Sequence, residues 1–454
     1  MRALHFVVAS ALVVTVGCRS NQARDTGAAS ADVSSAADET PPVRRISGPD
    51  VGATPKLAAP AVTPSAVNFP KVIGWPSGGM PSAPAGFTVT LFADSLEYPR
   101  WLHVLPNGDV LVAEARTNRS AAIPAELRTK LEEAGLFGPS ANRISRLRDA
   151  DGDGKAEVRE TFVGGLNQPF GTLALGKSFY VANTDGLLRY PYDSAGARIT
   201  GKGRKILDLP AGGYNNHWTR NVIANRDGSK LYVTVGSATN VDDERVDRKD
   251  PRRAAILEVN PDGSEMRVFA SGLRNPNGLG WEPESGELWT AVNERDELGD
   301  ELVPDYITSV RDGAFYGWPY AYWGKNEDPR RKGERPDLVA KAIAPDFAVG
   351  AHTATLGLAF GDKLKFPERY RHGSFIGQHG SWNRSTLSGY RVAFVPFDNG
   401  RPSGQPEEFL TGFIADSSKP EVWGRPVGLA VARDGALLVA DDAGNRIWRV
   451  AAAR

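Results

Sequence analysis

The chain has 454 residues, of which 41% are hydrophobic and 24% are charged. Its 54 basic and 54 acidic side chains give a formal net charge of zero, which excludes the basic surplus typical of nucleic-acid-binding proteins. The 49 glycines and 32 prolines favour many short strands joined by tight turns over a helical bundle.

Residues 1–18, MRALHFVVASALVVTVGC, have the layout of an export signal. Arg2 supplies the positive start, and the apolar run that follows is too short to be a comfortable membrane span. The segment ends at Cys18, the only cysteine, so the chain cannot form an intramolecular disulfide. The ending TVGC resembles a bacterial lipobox, in which the cysteine becomes lipid-modified. We therefore expect an exported protein on the periplasmic side, anchored to the membrane through Cys18. An export signal without lipidation is the alternative.

Residues 19–68 lack a periodic apolar pattern. Small and polar residues dominate, as in DTGAASADVSSAADETPP, and such a composition cannot bury a core. The sequence therefore predicts a disordered, flexible tether between the membrane and a folded domain.

Residues 69–454 repeat one local theme, a turn with Gly or Asp followed by a short apolar strand. Six instances occur: PNGDVLVAEA, LGKSFYVANT, RDGSKLYVTVGS, ESGELWTAVNE, RHGSFIGQHGS and RDGALLVADD. Their spacing is irregular but of the order expected for propeller blades, about 40–50 residues plus insertions. We predict an all-β fold, a six-bladed β-propeller with four-stranded blades and decorated loops. A pair of β-sandwiches is the alternative.

Two local segments refine this prediction. The last strand, RIWRV, ends the chain, so we expect the two ends of the propeller segment to close the ring together. The segment AAIPAELRTKLEEAGL combines a proline start with helix formers, and it predicts a helix inserted in a loop of the first blade.

Polar residues at the beginnings of strands in different blades converge on the central channel of a propeller. The candidates are Gln168, His217, Arg274, Asn275, Asn277, His352, His379, Arg384 and Arg425. Arginines and amides gathered around a channel favour an anionic ligand rich in acceptors. His217, in NNHWTRN, is the candidate general base, because the pKa of a histidine lies near the working pH.

Five motifs occur in a characteristic order: HWTRN, GLRNPNGLGWEP, AVNERDELGDEL, YGWPYAYWG and GSWNR. Together they resemble the glucose/sorbosone dehydrogenase family of quinoproteins, over roughly Phe87 to Val450. The resemblance implies a six-bladed propeller that binds pyrroloquinoline quinone (PQQ) and calcium and oxidises sugars or sugar-derived aldehydes in the periplasm. It also implies two partners, a small sugar or aldehyde substrate and an electron acceptor.

The resemblance implies roles for individual residues. His217 would take the proton from the substrate hydroxyl as hydride moves to the quinone. Arg274, the second catalytic candidate, would stabilise the charge that builds on oxygen. Asn275 would contact the quinone, and Arg425 would pair with the cofactor carboxylates. Gln168 would lie near the sugar and the base.

The backbone carbonyls of Glu294 and Arg295 would hold the cofactor calcium, which acts as a Lewis acid on the quinone carbonyl. Soluble glucose enzymes have glycine and proline at these two positions. They also have a lysine where the motif IGQHGSWNR offers His379 and Arg384, and a second arginine where this chain has Trp423. These differences favour the sorbosone-like branch of the family over a glucose dehydrogenase.

A separate motif, DADGDGKAEVRE, spans Asp149 to Glu160 and places carboxylates at alternate positions. The predicted ligands of a second calcium ion are Asp149, Asp151, Asp153 and Glu160. Gly154 would permit the sharp turn that such a loop requires. The flanks are strand-like, so the ion would stiffen a loop rather than take part in catalysis. An acidic surface turn without a metal is the alternative.

Two other functions stay open on the sequence alone. A propeller that has lost its cofactor would be a binding module for a protein or a glycan. A lactone hydrolase would also use calcium in the channel, but it would need several side-chain carboxylates there. The predicted channel contains glutamine, histidine, arginine and asparagine instead, so the enzyme that oxidises sugars is the favoured prediction.

Overall fold

The computed structural model of the chain describes residues 43–61, 66–117, 125–212 and 215–453. Its contacts divide the chain into two compact units, Met1–Thr40 and Pro41–Arg454, and every described residue belongs to the second. The predicted export signal, its Cys18 and residues 19–42 of the predicted tether lie outside the described residues. None of the helices within the described ranges is long and apolar enough to cross a membrane.

Six antiparallel sheets follow one another along this unit. The strands of the first sheet are Pro99–Val104, Val110–Glu114, Arg143–Arg148 and Val158–Val163. Those of the second are Thr172–Leu175, Ser178–Asn183, Gly186–Asp193, Arg198–Ile199 and Arg204–Asp208. Those of the third are Val222–Ala224, Leu231–Val235, Ala255–Val259 and Arg267–Ser271.

The remaining three sheets follow the same plan. The strands of the fourth are Pro276–Trp281, Leu288–Val292, Pro304–Ser309, Phe347–Ala351 and Val51–Gly52. Those of the fifth are Thr355–Phe360, Gly373–Gln378, Arg391–Asp398, Arg401–Pro402 and Glu407–Leu410. Those of the sixth are Pro426–Val431, Leu437–Asp441, Arg446–Ala452 and Phe87–Ala93.

The strand given first for each sheet is its inner strand, and it contacts the inner strands of both neighbouring sheets, so that these contacts close into a ring. The first long strand along the described chain, Phe87–Ala93, completes the sixth sheet, because it pairs antiparallel with the last strand, Arg446–Ala452. The all-β prediction is confirmed, and the arrangement matches that of a β-propeller. The strand count differs from the prediction, since the second, fourth and fifth sheets have five strands.

Shorter elements lie between these strands. Two small sheets consist of Lys71–Val72, Glu421–Val422 and Ile414–Asp416, and of Ala321–Tyr322 and Asn326–Glu327. The α-helices are Ala125–Glu133 and Pro336–Lys341, and the 3₁₀ helices are Asp247–Lys249, Pro329–Arg331 and Glu368–Tyr370. The first α-helix lies between two strands of the first sheet, where the sequence predicts it.

The hydrophobic core is divided among the interfaces between neighbouring sheets. Leu437–Asp441 is buried along its whole length, as expected for a strand that packs on both faces. Such strands appear in the sequence as continuous apolar runs for this reason. Trp289 of the fourth sheet packs edge-to-face on Phe397 of the fifth, with ring centroids 5.0 Å apart.

Residues 43–61 and 66–75, which we call the strap, contact the fourth, fifth and sixth sheets. Val51–Gly52 pairs with Phe347–Ala351 as the edge strand of the fourth sheet. At the other end, Trp75 Nε1 donates a 2.6 Å hydrogen bond to the buried Asp441 carboxylate.

The sequence predicts a tether that extends to residue 68, but residues 43–61 already pack against the sheets. Ile46 is buried, and Leu57 packs against a small apolar cluster around Leu298 and Tyr322. Residues 43–61 therefore belong to the packed unit, because they supply apolar side chains and an edge strand in spite of their polar composition.

Candidate active site

A cavity of about 560 Å³ opens where the inner strands of the ring begin. Its lining includes residues within three positions of the start of the inner strands of five sheets, namely Arg100, Thr219, Asn275, Leu356 and Arg425. The volume lies within the range of about 300–1,000 Å³ that small-molecule sites occupy. The strand beginnings therefore do meet around one cavity.

His217 lines this cavity and is 9% exposed. Its Nδ1 atom lies 2.9 Å from both the carbonyl oxygen and the hydroxyl oxygen of Ser237. The Ser237 hydroxyl donates to the carbonyl of Thr239 at 2.7 Å, so both Ser237 oxygens face Nδ1 as acceptors. A nitrogen between two acceptors carries the proton, which makes Nε2 the basic nitrogen of the ring. This is the tautomer that a general base requires.

Arg274 is 1% exposed, and oxygen atoms surround its guanidinium. Its Nη1 donates to the Glu294 carbonyl at 2.5 Å and to Asn293 Oδ1 at 2.9 Å. Its Nη2 donates to Asn240 Oδ1 at 2.9 Å and to Asp296 Oδ2 at 3.2 Å. These contacts hold the cation rigidly at the cavity wall.

His352 lines the same cavity, with Nδ1 3.2 Å from Asp296 Oδ1 and Nε2 2.9 Å from the Gly299 carbonyl. Both nitrogens face acceptors, so the arrangement favours the doubly protonated ring. Burial by itself would lower the pKa of His352, but the hydrogen bond and charge of Asp296 outweigh burial and raise it. Burial would raise the pKa of Asp296, but His352 and Arg274 lower it. The two acceptors and the raised pKa both favour the protonated form of His352.

Two further arginines line the cavity beside His379. Arg425 is fully buried, and it donates to the carbonyls of His379 at 2.9 Å and Gly380 at 2.7 Å, which carry no charge. Arg100 forms an ion pair with Asp442, whose carboxylate also lies 2.9 Å from His379 Nε2. Burial and the charge of Arg425 lower the pKa of His379 to about 3, so its ring is neutral at neutral pH.

The structure places Gln168 and Arg384 away from the cavity lining. Nε2 of Gln168 donates to the Arg116 carbonyl at 2.9 Å. Arg384 pairs with Glu301 at 2.6 Å in a separate cleft beside the strap. Both side chains are thus used in contacts within the protein, although the sequence predicts them as ligand contacts.

The two predicted asparagines differ in position. Asn275 lines the cavity, and its buried Oδ1 has no hydrogen-bond partner among the residues that the structure describes. Asn277 lies outside the lining, where Nδ2 donates to the Asn275 carbonyl at 3.0 Å and Oδ1 accepts from Thr219 at 2.6 Å. Asn277 therefore supports Asn275 instead of facing a ligand.

Only one of the two predicted calcium carbonyls belongs to a residue that lines the cavity. Glu294 lines it, and its carbonyl accepts from Arg274, so one lone pair of that oxygen remains for a metal. Arg295 is fully buried outside the lining, and its guanidinium pairs with Glu294 at 3.0 Å and with Asp328 at 3.1 Å.

Several side chains of the cavity are not predicted from the sequence. Besides Arg100, four acidic residues line it: Asp243, Glu294, Asp296 and Glu297. The expectation that carboxylates are absent from the channel is therefore wrong. Three of the four belong to the motif AVNERDELGDEL, so the run of acids in that motif was the available signal. The composition of the cavity therefore gives no argument against a lactone hydrolase. Among the described residues, the acidic side chains that lie close enough together to hold a metal ion form one group outside the cavity.

That group lies in the hairpin between Arg143–Arg148 and Val158–Val163. It consists of Asp149, Asp151, Asp153 and Glu157, each offering an oxygen within 4.8 Å of the others. The backbone amides of Gly152 and Gly154, both at positive φ, donate to Asp149. The hairpin position agrees with the prediction of a loop between strands.

The fourth member of this acidic group is Glu157 and not the predicted ligand Glu160. Glu160 lies within the strand Val158–Val163 and forms an ion pair with Arg146 of the neighbouring strand. The strand begins too early for the loop to reach the last position of the twelve-residue pattern.

Comparison with known proteins places the chain in a family. The TrAA12-like family model matches residues 81–337 and 326–453. An uncharacterized protein of Borreliella burgdorferi is 34% identical over 245 residues, which cover 53% of this chain and 62% of that protein. The chain therefore spans less than two thirds of that relative. Aldose sugar dehydrogenase YliI of Escherichia coli is 27% identical over 330 residues, which cover 66% of this chain and 80% of that protein.

Among solved structures, the holo form of the PQQ domain of pyranose dehydrogenase from Coprinopsis cinerea is similar in fold. Its TM-score is 0.63 at 20% identity, and the similarity covers 82% of this chain and 97% of that one. The matched family model spans most of the propeller segment. The chain thus belongs to the TrAA12-like family, and the resemblance to PQQ-dependent sugar dehydrogenases that its motifs carry is confirmed.

Proposed function

We propose that this protein oxidises a sugar or a sugar-derived aldehyde with PQQ as cofactor. One observation carries the proposal: His217, in the tautomer of a base, lines the same cavity as the cations Arg274, Arg100 and Arg425. The relatives named as sugar dehydrogenases support the class of reaction. A sorbosone-type substrate rests on the sequence motifs alone and stays a prediction.

The residues of the cavity fit a cofactor that carries carboxylates and ring carbonyls. Arg425 is fully buried, and the hydrogen-bond partners of its guanidinium are neutral carbonyls, so its charge is available to an anion. The buried Nε of Arg100 has no hydrogen-bond partner in the described part of the chain. A bound carboxylate would pair with both guanidinium groups.

In the proposed mechanism, Nε2 of His217 accepts the proton of the substrate hydroxyl while the carbon loses hydride. When bound, PQQ supplies the two-electron oxidant. Ser237 accepts a hydrogen bond from Nδ1 and so leaves Nε2 as the basic nitrogen. Nδ1 keeps its proton throughout turnover, so His217 does not change tautomer. The rigid guanidinium of Arg274 stabilises negative charge that develops on oxygen in the cavity.

We also propose calcium beside the cofactor. The second lone pair of the Glu294 carbonyl and the acids Asp243, Asp296 and Glu297 provide the hard oxygens and negative charge that this ion prefers. The Arg295 carbonyl, implied by the family resemblance, belongs to a residue outside the cavity lining.

We propose further that the six sheets are six blades, of which three have gained an additional edge strand. Export to the periplasmic side and lipidation at Cys18 are proposed from the sequence of residues 1–18. Mass spectrometry of the mature N-terminus tests the anchor. A diacylated Cys18 supports it, and an unmodified N-terminus contradicts it.

A reconstitution assay tests the activity. Purified protein is titrated with PQQ in the presence and absence of calcium, and dye reduction is followed with a panel of aldoses and sugar aldehydes. We expect dye reduction that needs PQQ and a sugar together. Quinone binding without turnover on any sugar would favour the binding module, and failure to bind PQQ would end the proposal.

A further inference from the structure

The strap supplies one wall of the cavity. Phe69 of the strap stacks on Trp382, with ring centroids 5.3 Å apart and 6° between the ring planes, and both residues line the cavity. Two hydrogen bonds hold the strap there, since the Asn68 amide donates to the Trp382 carbonyl at 2.8 Å and Asn68 Nδ2 donates to the Ser385 carbonyl at 2.9 Å. Phe69 lies outside residues 81–453, which the family model matches, whereas Trp382 lies within them.

The cavity has a buried base and an exposed mouth. Its catalytic candidates His217 and Arg274 are 9% and 1% exposed, whereas the lining residues Val67 and Leu127 are 60% and 39% exposed. The catalytic candidates therefore lie at the buried base of the cavity, and its open mouth combines the apolar Val67 and Leu127 with the exposed acids Asp243 and Glu297. A substrate whose reacting carbon sits at His217 would extend its far end along the pair formed by Phe69 and Trp382.

A polar group adjoins this aromatic wall. Asn383 lines the cavity and is 4% exposed, and its buried Oδ1 has no hydrogen-bond partner among the residues that the structure describes. Buried acceptors are normally paired, so the atom is suited to a donor that a ligand brings. A hydroxyl group is such a donor.

We propose that Phe69, Trp382 and Asn383 form a subsite for a second sugar unit. One face of a pyranose ring presents mainly C–H bonds and suits the negatively polarised face of an aromatic ring, while hydroxyl groups around the rim reach an amide oxygen. The substrate class is then a disaccharide or a longer saccharide. An apolar aglycone would leave Asn383 unpaired, so the sugar fits this site better. The inference rests on the proposed function, because it places the reacting unit at His217.

The test compares cellobiose and maltose with glucose. In protein loaded with PQQ and calcium, kcat/KM is measured for each sugar in the wild type and in Phe69→Ala and Trp382→Ala. We expect the wild type to prefer at least one disaccharide, and each substitution to lower the ratio of disaccharide to glucose kcat/KM about tenfold, mainly through KM. Ile73→Ala is the matched control, because Ile73 is a 41% exposed apolar residue of the strap outside the cavity lining. It should keep the wild-type ratio.

Calorimetric titration with the same sugars separates the two proposals. If no sugar is oxidised but Phe69→Ala and Trp382→Ala weaken disaccharide binding about tenfold relative to Ile73→Ala, the proposed function fails and the subsite stands. If glucose is oxidised as well as either disaccharide, or if both substitutions affect all three sugars equally, the subsite is overturned. Asn383→Asp, which keeps an acceptor, should retain the ratio better than Asn383→Leu.

Discussion

His217 and Ser237 form a fixed pair in which one residue sets the protonation of the other. Nδ1 of His217 lies 2.9 Å from each of two Ser237 oxygens, both of which can only accept in this arrangement. This arrangement favours the proton on Nδ1, and Nε2, which lies 3.5 Å from Asn216 Nδ2, is then the nitrogen with the acceptor lone pair. Histidine bases in enzymes depend on a partner of this kind for orientation and tautomer.

The first prediction concerns His217. Replacing it by alanine should lower kcat by a factor of about 10²–10⁴, the usual contribution of a general base. Steady-state dye reduction at saturating sugar measures the change. His372→Ala is the control, because His372 is exposed and lies outside the cavity lining, and it should leave kcat as in the wild type. A loss of less than about tenfold in His217→Ala would remove this residue from the role of base.

A second prediction separates the arginines that the sequence and the structure assign to the cofactor. Arg100→Met should raise the Kd for PQQ about tenfold or more, because it removes a buried cation from the cavity. Arg384→Met should leave the Kd unchanged, since Arg384 pairs with Glu301 away from that cavity. Fluorescence titration with PQQ measures both values.

The folding of Arg100→Met must be checked as well, because Asp442 would lose its guanidinium partner and the variant would be less stable. Arg100→Lys keeps the positive charge and should bind PQQ more tightly than Arg100→Met. Equal affinities of Arg100→Met and the wild type, at full folding by circular dichroism, would exclude Arg100 from the cofactor site.

The fold could be predicted from the sequence because its signal is local and repeated. Middle strands such as Leu437–Asp441 are buried on both faces, so each leaves an apolar run behind a Gly or Asp turn. The sequence of the strap contains no such apolar run. Val51–Gly52 belongs to a sheet only because the edge of the fourth sheet lies next to it, and that contact depends on residues about 300 positions away.

The site could be predicted only in part, for a related reason. His217, Arg274, His352 and Arg425 lie in the segments that lead into inner strands, and the geometry of the ring brings them together. The direction in which each side chain points cannot be predicted in this way, because it depends on the residues that surround it in the folded protein. Gln168 turns to the Arg116 carbonyl, and Asn277 turns to the Asn275 carbonyl, although both stand near similar strand beginnings. Arg100 was missed because its motif-free segment, YPRWLHV, gives no indication of a ligand.

A third prediction follows from the ion pair of His352 and Asp296, whose atoms Nδ1 and Oδ1 lie 3.2 Å apart. A double-mutant cycle with His352→Gln and Asp296→Asn should give a coupling free energy of about 1–3 kcal/mol. The pKa of His352 is raised from 6.5, so its contribution is complete below 6.5 and is lost as pH rises through the folded value. The pKa of Asp296 is lowered from 3.8, so its contribution is complete above 3.8 and is lost as pH falls through the folded value.

The coupling should therefore be largest between pH 3.8 and 6.5 and should decline towards alkaline pH. Urea unfolding at a series of pH values measures it for the four proteins of the cycle. A coupling free energy that does not vary between pH 5.5 and about pH 9 would show that His352 is neutral in the folded protein.

A fourth prediction concerns the anchor of the strap. Trp75 Nε1 donates to Asp441, a fully buried carboxylate whose pKa burial raises to about 6. Trp75→Phe keeps most of the apolar contact but removes this donor, so it should lower the free energy of unfolding by about 1–3 kcal/mol. Chemical denaturation measures the change. Phe87→Leu is the comparison, because it reduces apolar contact with the same core cluster and removes no hydrogen bond. If Trp75→Phe is as stable as the wild type, the bond does not hold the strap.

The last prediction distinguishes two versions of the calcium loop. The structure gathers Glu157 with Asp149, Asp151 and Asp153, whereas the sequence pattern names Glu160 as the final ligand. Calcium should raise the Tm of the wild type by several degrees through mass action, and Asp153→Ala or Glu157→Gln should abolish most of that rise. Glu160→Gln should keep it, because Glu160 already pairs with Arg146 on the neighbouring strand. Thermal melts of the PQQ-free protein with calcium and with EDTA measure the effect away from the quinone.

Two results would contradict this prediction. A calcium response lost in Glu160→Gln and kept in Glu157→Gln would restore the twelve-residue pattern. A calcium response unaffected by Asp153→Ala would mean that this hairpin is an acidic turn.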